Sequence, residues 1–171
     1  MRARISYWLI PIEADKKRLQ GIIDVLASRF DAPIFEPHVT LYSGEMEHIE
    51  DAADVLEGIA GDFPLTLRAS GMGHSDQFTK TLFMGFTSNP ALDQISDDLK
   101  SFSKAQDDYA LKPHLSLLYS PIPPEIREAL TREIVVPPVV RFNSIKAVAT
   151  GNRTQTKSDV ESWQSLAARV I

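Results

Sequence analysis

A chain of 171 residues is long enough to bury one sizeable core. Eighteen Lys and Arg against 23 Asp and Glu leave a formal net charge of −5, which disfavours broad contact with a nucleic-acid backbone but not a small anion held by a few donors. The absence of cysteine excludes disulfides, thiolate metal sites and thiol nucleophiles, and no run approaches the ~20 apolar residues that span a bilayer. The basic start, Met1-Arg2-Ala3-Arg4, leads into only a short apolar run with no small-residue cleavage site, so a cytoplasmic protein is expected.

Arg4 to Ile10 is rich in β-branched and aromatic residues and stops at Pro11, a strand pattern. Over Asp15 to Phe30, Leu19, Ile22, Ile23, Leu26 and Phe30 recur at helical spacing, and Asp31-Ala32-Pro33 ends that helix. Pro37-His38-Val39-Thr40-Leu41-Tyr42-Ser43 reads as a strand. Ile49, Ala52, Ala53, Leu56 and Ile59 give a second amphipathic helix, broken by Gly61-Asp62. Phe63, Leu65, Leu67 and Ala69 alternate as a strand, Gly71 to Asp76 reads as a turn or loop, and Phe78 to Thr87 as the returning strand of a hairpin. Asn89-Pro90 starts a helix whose buried face is Leu92, Ile95, Leu99 and Phe102. A strand follows at Leu115 to Tyr119, then a short helix from Pro124 carrying Ile126, Ala129 and Leu130. Val139 to Thr150 reads as a strand and Gly151 to Lys157 as a polar turn. Trp163, Leu166, Ala167 and Val170 have helical spacing, so periodicity alone predicts a terminal helix.

One pattern occurs twice: Pro37-His38-Val39-Thr40-Leu41-Tyr42-Ser43 and Pro113-His114-Leu115-Ser116-Leu117-Leu118-Tyr119-Ser120. In a strand, residues i and i+2 share a face, so each copy shows an imidazole and a hydroxyl side by side, about 7 Å apart. A single His-x-Thr on an apolar strand is ordinarily a half-buried structural histidine. A duplicated core strand, however, has no packing reason to keep both His and Ser/Thr. His38 and His114 lie 76 residues apart, close to half the chain, which reads as an internal duplication packed as two lobes of one unit.

Two imidazoles on opposite sides of one bond divide the proton transfers: one accepts from attacking water and the other donates to the leaving oxygen. An unperturbed imidazole titrates near 6.5, so both roles are open near neutrality. Thr40 and Ser116 would hydrogen-bond the non-bridging oxygens as negative charge develops. A phosphodiester fits that set without a metal or other cofactor, and neither motif has a His-x-x-x-His spacing or a carboxylate ligand beside it. Gly71-Met72-Gly73 lacks the spacing of a phosphate-binding loop, and nothing near Ser116 suggests a nucleophilic triad. His48 lies among acidic residues on a polar face, and His74 in a glycine-rich stretch, so neither is assigned a role.

The paired His38-Val39-Thr40 and His114-Leu115-Ser116 resemble the signature of the two-histidine (2H) phosphoesterase superfamily. Trp8-Leu9-Ile10-Pro11, Phe35-Glu36-Pro37-His38-Val39-Thr40, Pro113 to Tyr119 and Glu161 to Leu166 are similar to its plant and yeast cyclic phosphodiesterase branch, so the likeness runs over nearly the whole chain. The resemblance implies a single α+β domain over 1–171, bilobal, with an antiparallel sheet in each lobe, helices outside and a central cleft. It also implies that the last segment is a strand, against its periodicity. By the same resemblance His38 and His114 are the acid–base pair, Thr40, Ser116 and Tyr119 contact phosphate, and Trp8, Phe78 and Lys80 face the base. Lys80 stands where the plant enzymes carry a neutral polar residue. The implied activity is metal-independent opening of nucleoside 2′,3′-cyclic phosphates to 2′-phosphates, or of ADP-ribose 1″,2″-cyclic phosphate to the 1″-phosphate, a by-product of tRNA splicing. The partner would be a small cyclic nucleotide bound by a cytoplasmic monomer. An RNA-end 2′,3′-cyclic phosphodiesterase, like the 2′-5′ RNA ligase-like proteins, and a non-catalytic nucleotide-phosphate binding module are the alternatives. The approximate symmetry leaves base and acid interchangeable.

Overall fold

The computed structural model describes residues 3–103 and 109–171, so Met1 and Arg2 of the basic start lie outside the described residues. In chain order the elements are β1 (Ala3–Pro11), α1 (Glu13–Phe30), β2 (Val39–Met46), α2 (Ala52–Glu57), β3 (Leu65–His74) and β4 (Leu82–Phe86). These are followed by α3 (Pro90–Phe102), β5 (His114–Leu118), α4 (Pro124–Glu133), β6 (Val139–Ala149), α5 (Lys157–Glu161) and β7 (Gln164–Val170). The expected α+β class with antiparallel strands and outer helices is what the chain adopts.

All pairings among the described strands are antiparallel, in the order β1-β2-β5-β4-β3-β6-β7, and β6 also pairs with β1. The sheet therefore closes on itself, with β7 as a side strand. One edge of β6 takes β1; the other takes β3 along Val139–Phe142 and β7 along Ser144–Ala149. The thinnest join in the ring is between β2 and β5, where a single pair, Val39 and Leu115, is bridged. The strands around the two motifs thus belong to one hydrogen-bonded sheet.

β1 shows why a strand can be apolar throughout. Ile5, Tyr7 and Leu9 point into the main core, while Trp8 and Ile10 pack with Val148 and Trp163 on the opposite face. Burial on both faces removes the usual alternation of polar and apolar residues. Helix α1 packs on β1 and β5, α3 on β2, and α4 on β3 and β4. The Asn89 side chain caps α3 by accepting from the N–H groups of Ala91 and Leu92, as Asn-Pro predicted. Phe102, expected on its buried face, is 48% exposed in the last turn.

Four stretches differ from their sequence patterns. The glycine-rich segment expected to turn instead continues β3 to His74, paired with β4, and the absence of a side chain at Gly73 lets the Phe83 ring sit 2.5 Å from where a Cβ would lie. Phe78–Lys80, expected to be strand, is a 3₁₀ turn ahead of β4, and Ile49–Asp51 is likewise a 3₁₀ turn before a shortened α2. The last segment is the strand β7, with Leu166 bulged between Ser165 and Ala167, which pair with Val148 and Ala147. That extra residue converts a period of two into an apparent helical spacing, and it leaves Val170 79% exposed.

Thr81 ties the turn before β4 to the end of β5. Its buried hydroxyl lies 2.9 Å from the Phe78 carbonyl and 3.0 Å from the Ser120 carbonyl, and accepts from the Ser120 N–H at 3.0 Å. Thr81→Val keeps the shape but orphans a buried amide. It should lower unfolding stability by about 1–3 kcal/mol, seen as a lower urea midpoint at an unchanged denaturant slope. A midpoint equal to that of the parent would show that Thr81 does not hold this junction.

Candidate active site

The Val39–Leu115 bridge sets the site. Both residues are wholly buried and face the core. In the register of that bridge, His38 stands opposite Ser116 and Thr40 opposite His114, all four on the face away from Val39 and Leu115. With no further pair bridged, the strands part on either side, and a cavity of about 560 Å³ opens there. His38, Thr40, His114 and Ser116 all line it, as do Trp8, Lys80 and Tyr119.

The two imidazoles are anchored alike. His38 Nδ1 lies 2.6 Å from the backbone carbonyl of Glu36, and His114 Nδ1 lies 2.8 Å from that of Lys112, in each case two residues back. A carbonyl only accepts, so Nδ1 carries the proton in the neutral ring and Nε2 keeps its lone pair. His38 is the more enclosed: it is 7% exposed and lies flat on Trp8, ring centroids 3.7 Å apart at 12°. Burial lowers its pKa from 6.5 to about 4, against the Glu36 carbonyl and carboxylate, with the charges of His114 and Lys146 lowering it further. Burial also lowers the pKa of the half-buried His114, opposed by the Lys112 carbonyl and reinforced by Lys80. Both rings are therefore neutral at pH 7.

Glu36 fixes the segment that carries His38. Its carboxylate meets Lys146 of β6 at 2.6 Å and Lys16 of α1 at 3.0 Å. Burial alone would raise its pKa, but the hydrogen bonds from the two lysines hold it below the usual carboxylate range. Strand, helix and the stretch before β2 are thereby clamped at the residue whose carbonyl orients the imidazole.

On the other side, Ser116 Oγ donates to the Thr79 carbonyl at 2.8 Å, and the Ser116 side chain acts on the Tyr119 hydroxyl. Burial pushes the Tyr119 pKa up, so its hydroxyl stays a neutral donor. The Tyr119 ring stacks on Phe35, centroids 3.8 Å apart at 9°. Trp8 meets Trp163 edge-on at 5.4 Å. The face of Trp8 expected to stack on a base is thus against His38, and the further aromatic wall is Trp163, whose helical spacing had concealed its place. Phe78 does not line the cavity: the 3₁₀ turn packs it against the core, 6.0 Å from Tyr119, and presents Thr79 and Lys80 instead. Lys80 Nζ sits 4.7 Å from the centre of the Phe83 ring. His48 pairs with Glu50 at 3.1 Å on the exposed surface, and neither it nor His74 lines the cavity.

Comparison with known proteins gives the family and the fold. The model of the family described as cyclic phosphodiesterase-like protein matches residues 1–171. A protein named cyclic phosphodiesterase from Arabidopsis thaliana is 23% identical over 169 residues, covering 95% of this chain and 92% of its own length. The solved structure of E. coli LigT complexed with 3′-AMP superposes with a TM-score of 0.64 at 16% identity, covering 100% of this chain and 99% of its own. A further solved phosphoesterase gives 0.63 at 15%, covering 99% and 98%. At those identities the solved structures speak for the fold, whereas the family match spans the whole sequence. The chain belongs to the cyclic phosphodiesterase-like family of 2H phosphoesterases, and it is a phosphodiesterase.

Proposed function

We propose that the chain opens cyclic phosphodiesters by metal-independent hydrolysis, taking nucleoside 2′,3′-cyclic phosphates to 2′-phosphates and ADP-ribose 1″,2″-cyclic phosphate to the 1″-phosphate. The observation that carries this reading is the pair of imidazoles, each with Nδ1 held by a backbone carbonyl two residues back and Nε2 free, on the walls of one cavity. Water attacks phosphorus while one Nε2 takes its proton. The bond from phosphorus to the ring oxygen breaks, and the other Nε2–H gives that oxygen a proton. Because both rings are neutral in the free chain, the acid gains its proton as the anionic phosphate enters between them. Thr40 donates to a non-bridging oxygen. The Ser116 hydroxyl turns from the Thr79 carbonyl to another, supported by Tyr119.

LigT has been solved with 3′-AMP, phosphate, NADP+ and ATP. We take small nucleotides as the ligand class here too. The chain works as one domain of two motif-centred halves, a reading supported by the matching histidine anchors on either side of the Val39–Leu115 bridge.

Purified protein should hydrolyse adenosine 2′,3′-cyclic phosphate in the presence of excess chelator, with phosphorus NMR showing a 2′-phosphate. His38→Ala and His114→Ala should each reduce kcat by at least about 100-fold. Full activity in either variant would sink the two-histidine mechanism, and activity lost to chelator but restored by zinc would show that a metal is required.

The buried imidazole also ties stability to pH. The unfolded chain takes up a proton at His38 near pH 6.5, the folded chain only near 4. The stability is thus fully present above 6.5 and is lost as pH falls through about 4, on the order of 3 kcal/mol for this group. His38→Asn, whose amide can still donate to the Glu36 carbonyl, should flatten the fall of the denaturation midpoint between those pH values. An unchanged slope would show that His38 is not the titrating group.

A further inference from the structure

The cavity is far more basic than the chain that encloses it. Arg4, Lys80, Lys112 and Arg153 line it, and among the described lining residues there is no Asp or Glu, although the chain carries a net charge of −5. Lys80 and Lys112 belong to the His114 side, where Lys80 acts on the imidazole itself. Arg4 and Arg153 lie elsewhere. On β1 alternate residues Arg4, Ser6 and Trp8 line the cavity, with Ser6 paired to Ser43 and Trp8 to Thr40. The row leads from the catalytic end to Arg4 over four residues, ~13 Å along the strand. The Thr150 N–H donates to the Arg4 carbonyl at 3.1 Å, which brings the loop after β6, with Arg153, alongside Arg4.

Among the described residues neither guanidinium is within ion-pair distance of a carboxylate. Arg4 Nη1 donates to Ser43 Oγ at 3.3 Å and Arg153 Nη2 to Gln155 Oε1 at 2.6 Å, both neutral partners. Glu45 stands across the ladder from Arg4 but is exposed and outside the lining. Asp159, a carboxylate whose charge acts with that of Arg153, accepts instead from the N–H groups of Gln155 and Thr156. Two planar cations at one rim match the oxygens of a phosphate group. A nucleoside cyclic phosphate has only one anionic group, and the imidazoles and hydroxyls already hold it.

We propose that Arg4 and Arg153 form a second anion subsite, which takes a phosphate on the 5′-oxygen of the same ribose that bears the cyclic phosphate. This rests on the reading of the histidine pair as a cyclic phosphodiesterase site. A 5′-phosphorylated mononucleotide, the pyrophosphate of ADP-ribose and the phosphodiester of an RNA end share that chemistry.

The test compares kcat/KM at low salt for adenosine 2′,3′-cyclic phosphate and the same compound carrying a 5′-phosphate. The phosphorylated compound should be favoured on the order of tenfold, with the ratio falling as salt is raised. The ratio should approach one in the double variant Arg4→Gln, Arg153→Gln, should be partly kept in Arg4→Lys, and should be unchanged in Lys157→Gln. Lys157 is a surface cation paired with Asp31 outside the cavity. ADP-ribose 1″,2″-cyclic phosphate and a dinucleotide ending in a 2′,3′-cyclic phosphate, run on the same variants, identify the source by which loses more in the double variant. Equal turnover of the two mononucleotides by the parent protein, or a parent-like ratio in the double variant, overturns the subsite alone. Turnover of none of these compounds overturns the cyclic phosphodiesterase reading along with it.

Discussion

One backbone bridge decides where this protein has a cavity and what faces it. Val39 and Leu115 join β2 to β5, and no neighbouring pair continues the ladder. The ring is thus closed and opened at the same point: the bridge brings the two motifs together, and the divergence beyond it leaves room for a ligand between them. Because side chains alternate along each strand, burying Val39 and Leu115 commits His38, Thr40, His114 and Ser116 to the other face. A slip of one residue in either strand would exchange imidazole and hydroxyl for leucine and valine. The apolar core therefore specifies the register, and the register specifies the site.

The anchoring of each imidazole by a carbonyl two residues back is the second constraint. A single hydrogen bond fixes the tautomer and the direction of Nε2, and it does so from backbone that precedes the strand. On the His38 side that backbone is held by the Glu36 carboxylate, shared between Lys146 and Lys16. The ring is also held flat by Trp8. On the His114 side there is no such clamp in the described contacts, and Lys80 supplies a nearby charge instead. Two motifs alike in sequence thus sit in unlike surroundings, one dry and rigid and the other more open and cationic.

Charge illustrates how a whole-chain property misleads about a local one. A net charge of −5 argues for a ligand that is not a polyanion, and it holds for the outer surface, where carboxylates are in excess. Inside the cavity the sign reverses, because the side chains that line it come from β1, the turn before β4, the segment before β5 and the loop after β6, each contributing one cation. The field felt by a ligand in a concave site comes from those few groups and not from the sum over the chain.

The repeated Pro-His-x-Thr/Ser string, its strand character and the chemistry of two imidazoles with two hydroxyls were determined by the sequence alone. So were most of the helices, whose apolar spacing and caps are local: Asn89 before Pro90 is one example. Local rules failed where the partner of a residue lies far away in the chain. Gly71 to His74 is strand because it pairs with Leu82 to Gly85 of β4, Phe83 filling the space beside Gly73, and β7 looked helical because of a bulge set by its pairing with β6. Phe78 left the expected aromatic wall, and Trp163 and Phe35 joined the surroundings of the histidines, through packing that no spacing encodes. The motif fixed which imidazoles and hydroxyls share the cavity wall. Only closure of the sheet decided that Arg4 and Arg153, about 150 residues apart, reach the same cavity, since strand pairing is a long-range contact invisible to any local window.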